Sequence, residues 1–205
     1  NLFEDEVEKD EETIKAVANN AEIEVKSFPK ISNKIINTVT NEFSIGLLVV
    51  PLGSDKDKSI IKNYIQLSKK NKIPILFSRN SNPYSRIGIP LSSDLSEDSV
   101  SRVGLDLAQK MASTIVAFDI KEPEFISQSS TQEGNTTLMS LEDSARYKGV
   151  DVKHIERSGN IAKELSILSE SVGLLILNNS NSANWQNRKT TDFVSTNSPI
   201  SVLVV

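Results

Sequence analysis

Residues 172–177 read Val-Gly-Leu-Leu-Ile-Leu, and residues 45–50, which lie 127 positions earlier, read Ile-Gly-Leu-Leu-Val-Val. The same offset carries Ile75-Leu76 onto Val202-Leu203, so it does not drift between the two matches. Short, continuous apolar stretches of this kind are typical of strands buried in a parallel sheet. Because a constant offset indicates an internal repeat, we interpret the chain as two copies of one structural unit.

The two copies differ in extent. Subtracting 127 from position 86 gives −41, so the segment from Arg86 to about residue 127 has no counterpart in the first copy. We therefore expect residues 1–80 to form an incomplete unit that lacks its first two strands, and residues 83–205 to form a complete unit. The absent segment of about forty residues is expected upstream of Asn1 in the full protein, or from another chain.

Strands and helices are predicted to alternate along the second copy. A helix with an apolar stripe follows the first strand, and Gly104 on that stripe predicts a close approach of helix and sheet. Gly149 is expected to end the second helix and Asn160 to cap the third. Such alternation indicates a parallel sheet covered on both faces, in which ligands bind beyond the carboxyl ends of the strands. The predicted strands span residues 86–91, 113–120, 150–156, 173–177 and 201–205.

Charge and residue types exclude several classes of function. The chain has 23 basic and 27 acidic residues, a formal net charge of −4, so we expect no nucleic-acid partner. It contains no cysteine and one histidine, His154, which excludes disulfides, thiolate zinc sites and histidine-rich metal sites. A lone histidine on a predicted strand is typical of a structural role. With no nucleophile–base pair and no metal cluster predicted, we do not expect an enzyme.

The sequence predicts no membrane span. The longest apolar run, Ile45 to Leu52, has eight residues and contains Pro51, whereas a span needs about eighteen or more. The chain begins with Asn1 and shows no secretory leader. We therefore expect it to be a soluble part of a longer polypeptide.

Several segments, taken in order, resemble the universal stress proteins. Ile87 to Ser93 (Ile-Gly-Ile-Pro-Leu-Ser-Ser) is similar to the first strand and loop of that family, and Gly159-Asn160-Ile161-Ala162 is similar to its Gly-Asp/Asn helix start. Residues 172–177 resemble its fourth strand, and Val202-Leu203-Val204-Val205 resembles its closing strand. The resemblance covers the complete second copy and, through the repeat, the first copy as well.

The resemblance implies an α/β fold of the flavodoxin-like (Rossmann-like) class, present here in tandem. Each complete unit is then a parallel five-stranded sheet of order 3-2-1-4-5 with helices on both faces. Units of this family commonly pair through their last strands. We therefore expect Ile73–Phe77 and Ile200–Val205 to pair with each other across a pseudo-twofold axis, or with the same strand of a second chain.

The resemblance also marks a degenerate nucleotide site. Members that bind ATP carry a glycine-rich loop after the fourth strand, because backbone N–H groups must approach the phosphates without a Cβ in the way. Here Asn178 and Asn181 stand at the first two glycine positions, and no glycine follows Gly173. Ser92 replaces the family's nucleotide-contacting aspartate, with Asp94 close by in the sequence. We expect no cofactor, with ATP or another adenine nucleotide as the alternative ligand.

Two polar stretches are interpreted as loops. Lys121 to Thr137 is read as a flexible connection. Asn178 to Thr191 is read as a mobile polar loop in which Trp185, if not simply part of the loop, is an anchor for a partner protein. The acidic residues near Asp94 fit either a helix cap or contacts to a ribose or cation, and capping explains their spacing.

These observations together favour a non-catalytic, ligand-sensing module similar to the universal stress proteins. By analogy with family members fused to transporters, we expect it to be the cytosolic C-terminal part of a membrane transporter such as a cation/proton antiporter or an amino-acid permease. Its expected partners are the rest of that polypeptide, including a membrane domain, and its expected location is the cytoplasm, at the cytosolic face of a membrane. The alternative is a free-standing soluble stress protein that binds ATP or another adenine nucleotide.

Overall fold

The computed structural model describes residues 46–52, 58–79, 83–91, 98–121, 132–178 and 185–205. Backbone contacts divide the chain into two units, residues 1–44 and residues 45–205, and all the described residues belong to the second. The boundary expected near residues 81–83 thus lies inside a compact unit. The partition into 1–80 and 83–205 remains a prediction about repeats.

Seven strands and five helices are described. The part before residue 80 contributes β1 (Leu48–Pro51), α1 (Lys58–Asn71) and β2 (Ile75–Ser78). The part after it contributes β3 (Arg86–Pro90), α2 (Asp98–Met111), β4 (Thr114–Lys121), α3 (Gln132–Lys148), β5 (Val152–Ser158), α4 (Ile161–Ser169), β6 (Leu174–Leu177), α5 (Trp185–Asn197) and β7 (Ser201–Val204).

All seven strands belong to one sheet, of order β1-β2-β7-β6-β3-β4-β5. Strands β3 to β7 pair in parallel, and numbered within that group their order is 3-2-1-4-5. This confirms the predicted α/β fold class and strand order for residues 83–205. Strands β1 and β2 pair in parallel with each other, and β2 joins β7 in the sheet's one antiparallel pair among the described strands.

Apolar residues are buried on both faces of the sheet, as expected for a parallel sheet between helix layers. One core cluster joins the sheet to α1, α4 and α5, through side chains such as Ile61, Leu165 and Val194. The other joins the opposite face to α2 and α3, through Val100 and Leu141 among others. Helices therefore cover both faces, and the chain crosses from one layer to the other as it leaves different strands.

The strand registers agree with the sequence offset of 127. Leu48 of β1 pairs with Ile75 of β2, and Leu175 of β6 pairs with Val202 of β7. Adding 127 to each residue number of the first pair gives the second pair. The antiparallel pairing also maps onto itself: Leu76 faces Leu203, and these two positions are repeat equivalents. A local twofold axis between β2 and β7 therefore relates β1-α1-β2 to β6-α5-β7.

A disulfide placed on this axis tests the pairing. The Leu52 amide bonds to the Ser78 carbonyl and the Val205 amide to the Leu177 carbonyl. By strand alternation, Leu76 and Leu203 thus turn their backbone groups away from each other and form a non-hydrogen-bonded pair, with Cα atoms about 4.5 Å apart. Since the chain has no cysteine, Leu76→Cys with Leu203→Cys should oxidise within one chain. Mass spectrometry of the oxidised product distinguishes the two cases. A disulfide-linked dimer in place of a cross-linked monomer would show that the two strands pair between chains.

Arg79, which directly follows β2, forms hydrogen bonds with α5 and with the residues at the start of β7. Its guanidinium is buried and donates from Nη1 to the Ile200 carbonyl at 3.2 Å and from Nη2 to the Ser195 carbonyl in the last turn of α5. Its backbone amide donates to the Ser201 hydroxyl at 2.9 Å. Burial lowers the pKa of Arg79 to about 10. The side chain still carries its charge at neutral pH, where it complements the partial negative charge of the helix C-terminus.

Arg79→Met should lower the free energy of unfolding by about 1–3 kcal/mol, because the Ser195 and Ile200 carbonyls each lose a hydrogen bond from a buried cation. Arg86→Met is the matched control, since Arg86 is exposed and a surface substitution usually changes stability by no more than about 0.5 kcal/mol. Urea unfolding of the two variants measures the difference. Equal stabilities would show that the Arg79 contacts contribute nothing.

Local sequence signals were partly right. Gly149 has a φ of 65° and ends α3, and the Asn160 side chain caps α4 by accepting from the Lys163 amide at 3.1 Å. The loop readings were wrong in part, because α3 already begins at Gln132 and α5 covers Trp185–Asn197. Among the described residues, no helix is long and apolar enough to cross a membrane.

Candidate functional site

The chain changes helix layer between two neighbouring strands, β3 and β6. After β3 it continues into α2, which packs on one face of the sheet, and after β6 it continues into α5, which packs on the other. In open parallel sheets this reversal opens a crevice at the carboxyl ends of the two strands, where ligands bind. Leu91 and Asn178 directly follow the two strands, at the edge of the sheet where such a crevice is expected.

Asn178 is the one expected site residue that the structure describes. It is buried, at 4% of its full exposure, and its carbonyl accepts from the Thr191 hydroxyl of α5 at 3.1 Å. Its side-chain Nδ2 is buried and has no hydrogen-bond partner among the described residues. Since an unpaired buried donor costs about 1–3 kcal/mol, a hydrogen-bond acceptor for Nδ2 is expected at this place.

Asp119 is a second polar group at this edge, and sequence analysis missed it. Leu91 lies beside Asp119 when the β3–β4 register is extended by one residue, because Pro90 pairs with Phe118 and the Leu91 amide bonds to the Phe118 carbonyl at 2.8 Å. Asp119 in turn pairs with Glu156 on β5. Asp119 is buried, which is rare for a carboxylate. The signal for it was an aspartate inside the apolar run of β4 (Thr-Ile-Val-Ala-Phe-Asp-Ile-Lys).

Two cross-strand side-chain contacts join β4 to β5 near Asp119. His154 Nε2 lies 3.9 Å from Asp119 Oδ2. Lys121 Nζ lies 2.7 Å from Glu156 Oε1. This hydrogen bond lowers the pKa of Glu156 and raises the pKa of Lys121. Both groups are therefore charged at neutral pH, and the two opposite charges neutralise each other at the protein surface.

The remaining expected site residues, Ser92, Asp94 and Asn181, lie outside the described residues. Of the proposed degenerate nucleotide site, the structure thus places Asn178 alone. The part of the chain that the structure describes contains no group of three or more histidine, aspartate or glutamate side chains arranged to hold a metal ion. Among the described residues, the polar side chains at this edge that can bond a ligand are the Asn178 amide and the Asp119 carboxylate.

Comparison with solved structures identifies the fold. A universal stress protein from Archaeoglobus fulgidus DSM 4304 aligns over 98% of this chain and 77% of its own, with a TM-score of 0.65 and 15% identity. A protein of unknown function from Pseudomonas aeruginosa PAO1 aligns over 95% of this chain and 77% of its own, with a TM-score of 0.65 and 12% identity.

A universal stress protein solved in complex with cAMP aligns over 60% of this chain and 98% of its own, with a TM-score of 0.48 and 18% identity. No protein-family model and no curated protein matches the sequence. At these identities the likeness concerns architecture. The chain has the fold of the universal stress proteins.

Proposed function

We propose that this chain is a regulatory module that senses a small molecule and catalyses no reaction. The observation that carries the proposal is the buried side chain of Asn178, whose Nδ2 has no partner among the described residues at the point where the helix layers change. A buried donor of this kind recognises a ligand acceptor with high selectivity, because a ligand without that acceptor leaves the amide unpaired.

The spacing of polar groups indicates the size of the ligand. Asn178 follows β6, Asp119 lies on β4, and β3 separates the two strands. Adjacent strands are about 4.8 Å apart, so the two side chains arise about 10 Å from each other across a floor that includes Leu91. A nucleoside-sized molecule spans that distance. It would accept a hydrogen bond from Asn178 and donate one to the Asp119 carboxylate.

Adenosine is a suitable first probe, because it carries acceptors and donors but no phosphate that the carboxylate would repel. Millimolar adenosine is expected to shift the NMR signal of the Asn178 side-chain amide in the full chain. Asn178→Ala should abolish the accompanying rise in melting temperature, and Asn197→Ala, which changes an exposed asparagine, should retain it. If adenosine, AMP and ATP all leave the Asn178 signal unmoved, the site has been assigned wrongly for this class of ligand.

The setting of the module is part of the same proposal and rests on the family resemblance. As the cytosolic part of a membrane transporter, the module would convert ligand binding into a change in transport. The free-standing alternative, a stress protein that binds an adenine nucleotide, is distinguished by the polypeptide upstream of Asn1. Several apolar stretches of about twenty residues there would establish the transporter, and their absence would favour the alternative.

A further inference from the structure

The outer edge of β1 differs from the equivalent edge of β6. β1 is the first strand in the order of the described sheet, whereas β6 has β3 on the corresponding side. The Leu48 amide bonds to the carbonyl of Pro74, just before β2, and the Leu52 amide bonds to the carbonyl of Ser78 in β2. By alternation, the backbone groups of Leu47 and Val49 point to the outer edge, on the side away from β2.

The side chains at this edge are exposed where their repeat equivalents are buried. Val49 is 52% exposed, whereas Ile176, its equivalent in β6, is 0% exposed. Leu47 is 45% exposed, whereas Leu174 is 2% exposed. In the second copy these two positions belong to the core between the sheet, β3 and α2, where a Cβ at Gly104 would lie 3.5 Å from the Ile176 side chain.

The repeat-equivalent glycines Gly173 and Gly46 differ in what a Cβ would meet. A Cβ on Gly173 would meet the Pro83 carbonyl oxygen at 2.6 Å and the Tyr84 Cα at 3.2 Å, so the segment that leads into β3 requires glycine there. Its repeat equivalent, Gly46, has no atom within 4 Å of such a Cβ. The first copy therefore keeps a glycine suited to a close neighbour that the described structure does not contain.

From these three differences we infer that the outer edge of β1, with Gly46, Leu47 and Val49, is a docking surface for a strand followed by a helix. The occupant is a segment that repeats the β3-α2 pattern of residues 86–111 and precedes Asn1 in the same polypeptide. It adds a strand parallel to β1 and lays an apolar helix over Leu47 and Val49. This inference does not depend on ligand binding at Asn178.

The repeat itself supplies the reagent for a test. Residues 83–127 of this chain, placed directly before Asn1, occupy positions −44 to 0 and so restore the offset of 127. This segment includes the copies of Pro83 and Tyr84, the two residues that a Cβ on Gly173 would meet. In this extended chain, hydrogen exchange of the Val49 amide should slow at least about tenfold relative to the original chain. The extended chain should also remain monomeric, because the added strand occupies the edge of its own molecule.

Gly46→Ala and Val49→Lys sharpen the test. Each should leave the melting temperature of the original chain nearly unchanged and lower that of the extended chain by at least about 2–4 °C. Gly173→Ala is the positive control, and it should lower the melting temperature in both chains. The inference is overturned if Val49 exchange is equal in the two chains, or if Gly46→Ala has the same effect in both. It is also overturned if the original chain dimerises through β1 edges, which would make a second copy the occupant.

Discussion

Val202→Lys is expected to lower the free energy of unfolding by at least about 3 kcal/mol. Val202 is fully buried, pairs with Leu175 on one side and Phe77 on the other, and belongs to the core beneath α1 and α5. A lysine there must bury its ammonium group without a partner or displace the helices that cover it. Either outcome weakens the antiparallel join between β2 and β7, which connects the described segments before and after residue 80.

Val49→Lys is the matched control, because it makes the same chemical change on an exposed strand position. It should change stability by no more than about 0.5 kcal/mol in the original chain. Urea unfolding measures both variants. If Val202→Lys fails to fold, the milder Val202→Thr still buries an unpaired hydroxyl and should cost about 1–3 kcal/mol. Equal stabilities of Val202→Lys and Val49→Lys would contradict the β2–β7 join.

Gly104→Ala should destabilise the chain by about 1–3 kcal/mol, although alanine is intrinsically the better helix former. A Cβ on Gly104 would lie 2.4 Å from Ile89 Cδ1, and Ile89 is fully buried, so it has little room to move away. Either α2 shifts away from β3, or Ile89 leaves its rotamer. Each response loosens the core next to the candidate site.

A double-mutant cycle isolates this contact. Ile89→Val removes Cδ1, the atom closest to the new Cβ. Gly104→Ala should therefore cost less in the Ile89→Val background, with a coupling of at least about 0.5 kcal/mol measured by urea unfolding. Additive effects would mean that the close approach of α2 to β3 does not determine the need for glycine at this position.

Much of the fold was predictable, because local signals agreed with tertiary structure. The apolar runs at 45–50 and 172–177 correspond to β1 and β6, and Gly104 lies where the helix stripe meets the sheet. The glycine at 149 and the asparagine at 160 act through their own backbone and side-chain chemistry. Signals of this kind lie within a few residues, so sequence reading detects them.

Features that depend on distant contacts were missed. The first half of helix α5, up to Thr191, was read as a loop because its sequence is polar. The buried side chains of the helix, Thr191, Val194 and Ser195, are small or hydroxylated. Helix α5 packs against α1. The two helices occupy equivalent positions under the offset of 127, so each presents the same part of the repeat to the other. Arg79 has partners 116 and 121 residues away in the sequence, so nothing near it marks it as buried.

The sequence predicted the location of the candidate site but not the burial or the hydrogen bonds of its residues. The strand order locates the crevice, and the missing glycines after Gly173 identify the loop that would hold phosphates as altered. The burial of Asn178 and Asp119 depends on neighbouring strands and helices. Asn178 could therefore be identified from the sequence, while the place of Asp119 at this edge and the hydrogen-bonding state of both side chains could not.

Calorimetric titration of ATP into the full chain at physiological salt tests the proposed function most directly. Without the glycines, backbone N–H groups do not converge readily on a triphosphate, and the nearby Asp119 carboxylate repels it. We predict no binding tighter than about 0.1 mM, equivalent to about 5.5 kcal/mol. Micromolar affinity that is lost when Asn178 is replaced by a bulkier residue would contradict this, and would establish an ATP-binding stress protein instead.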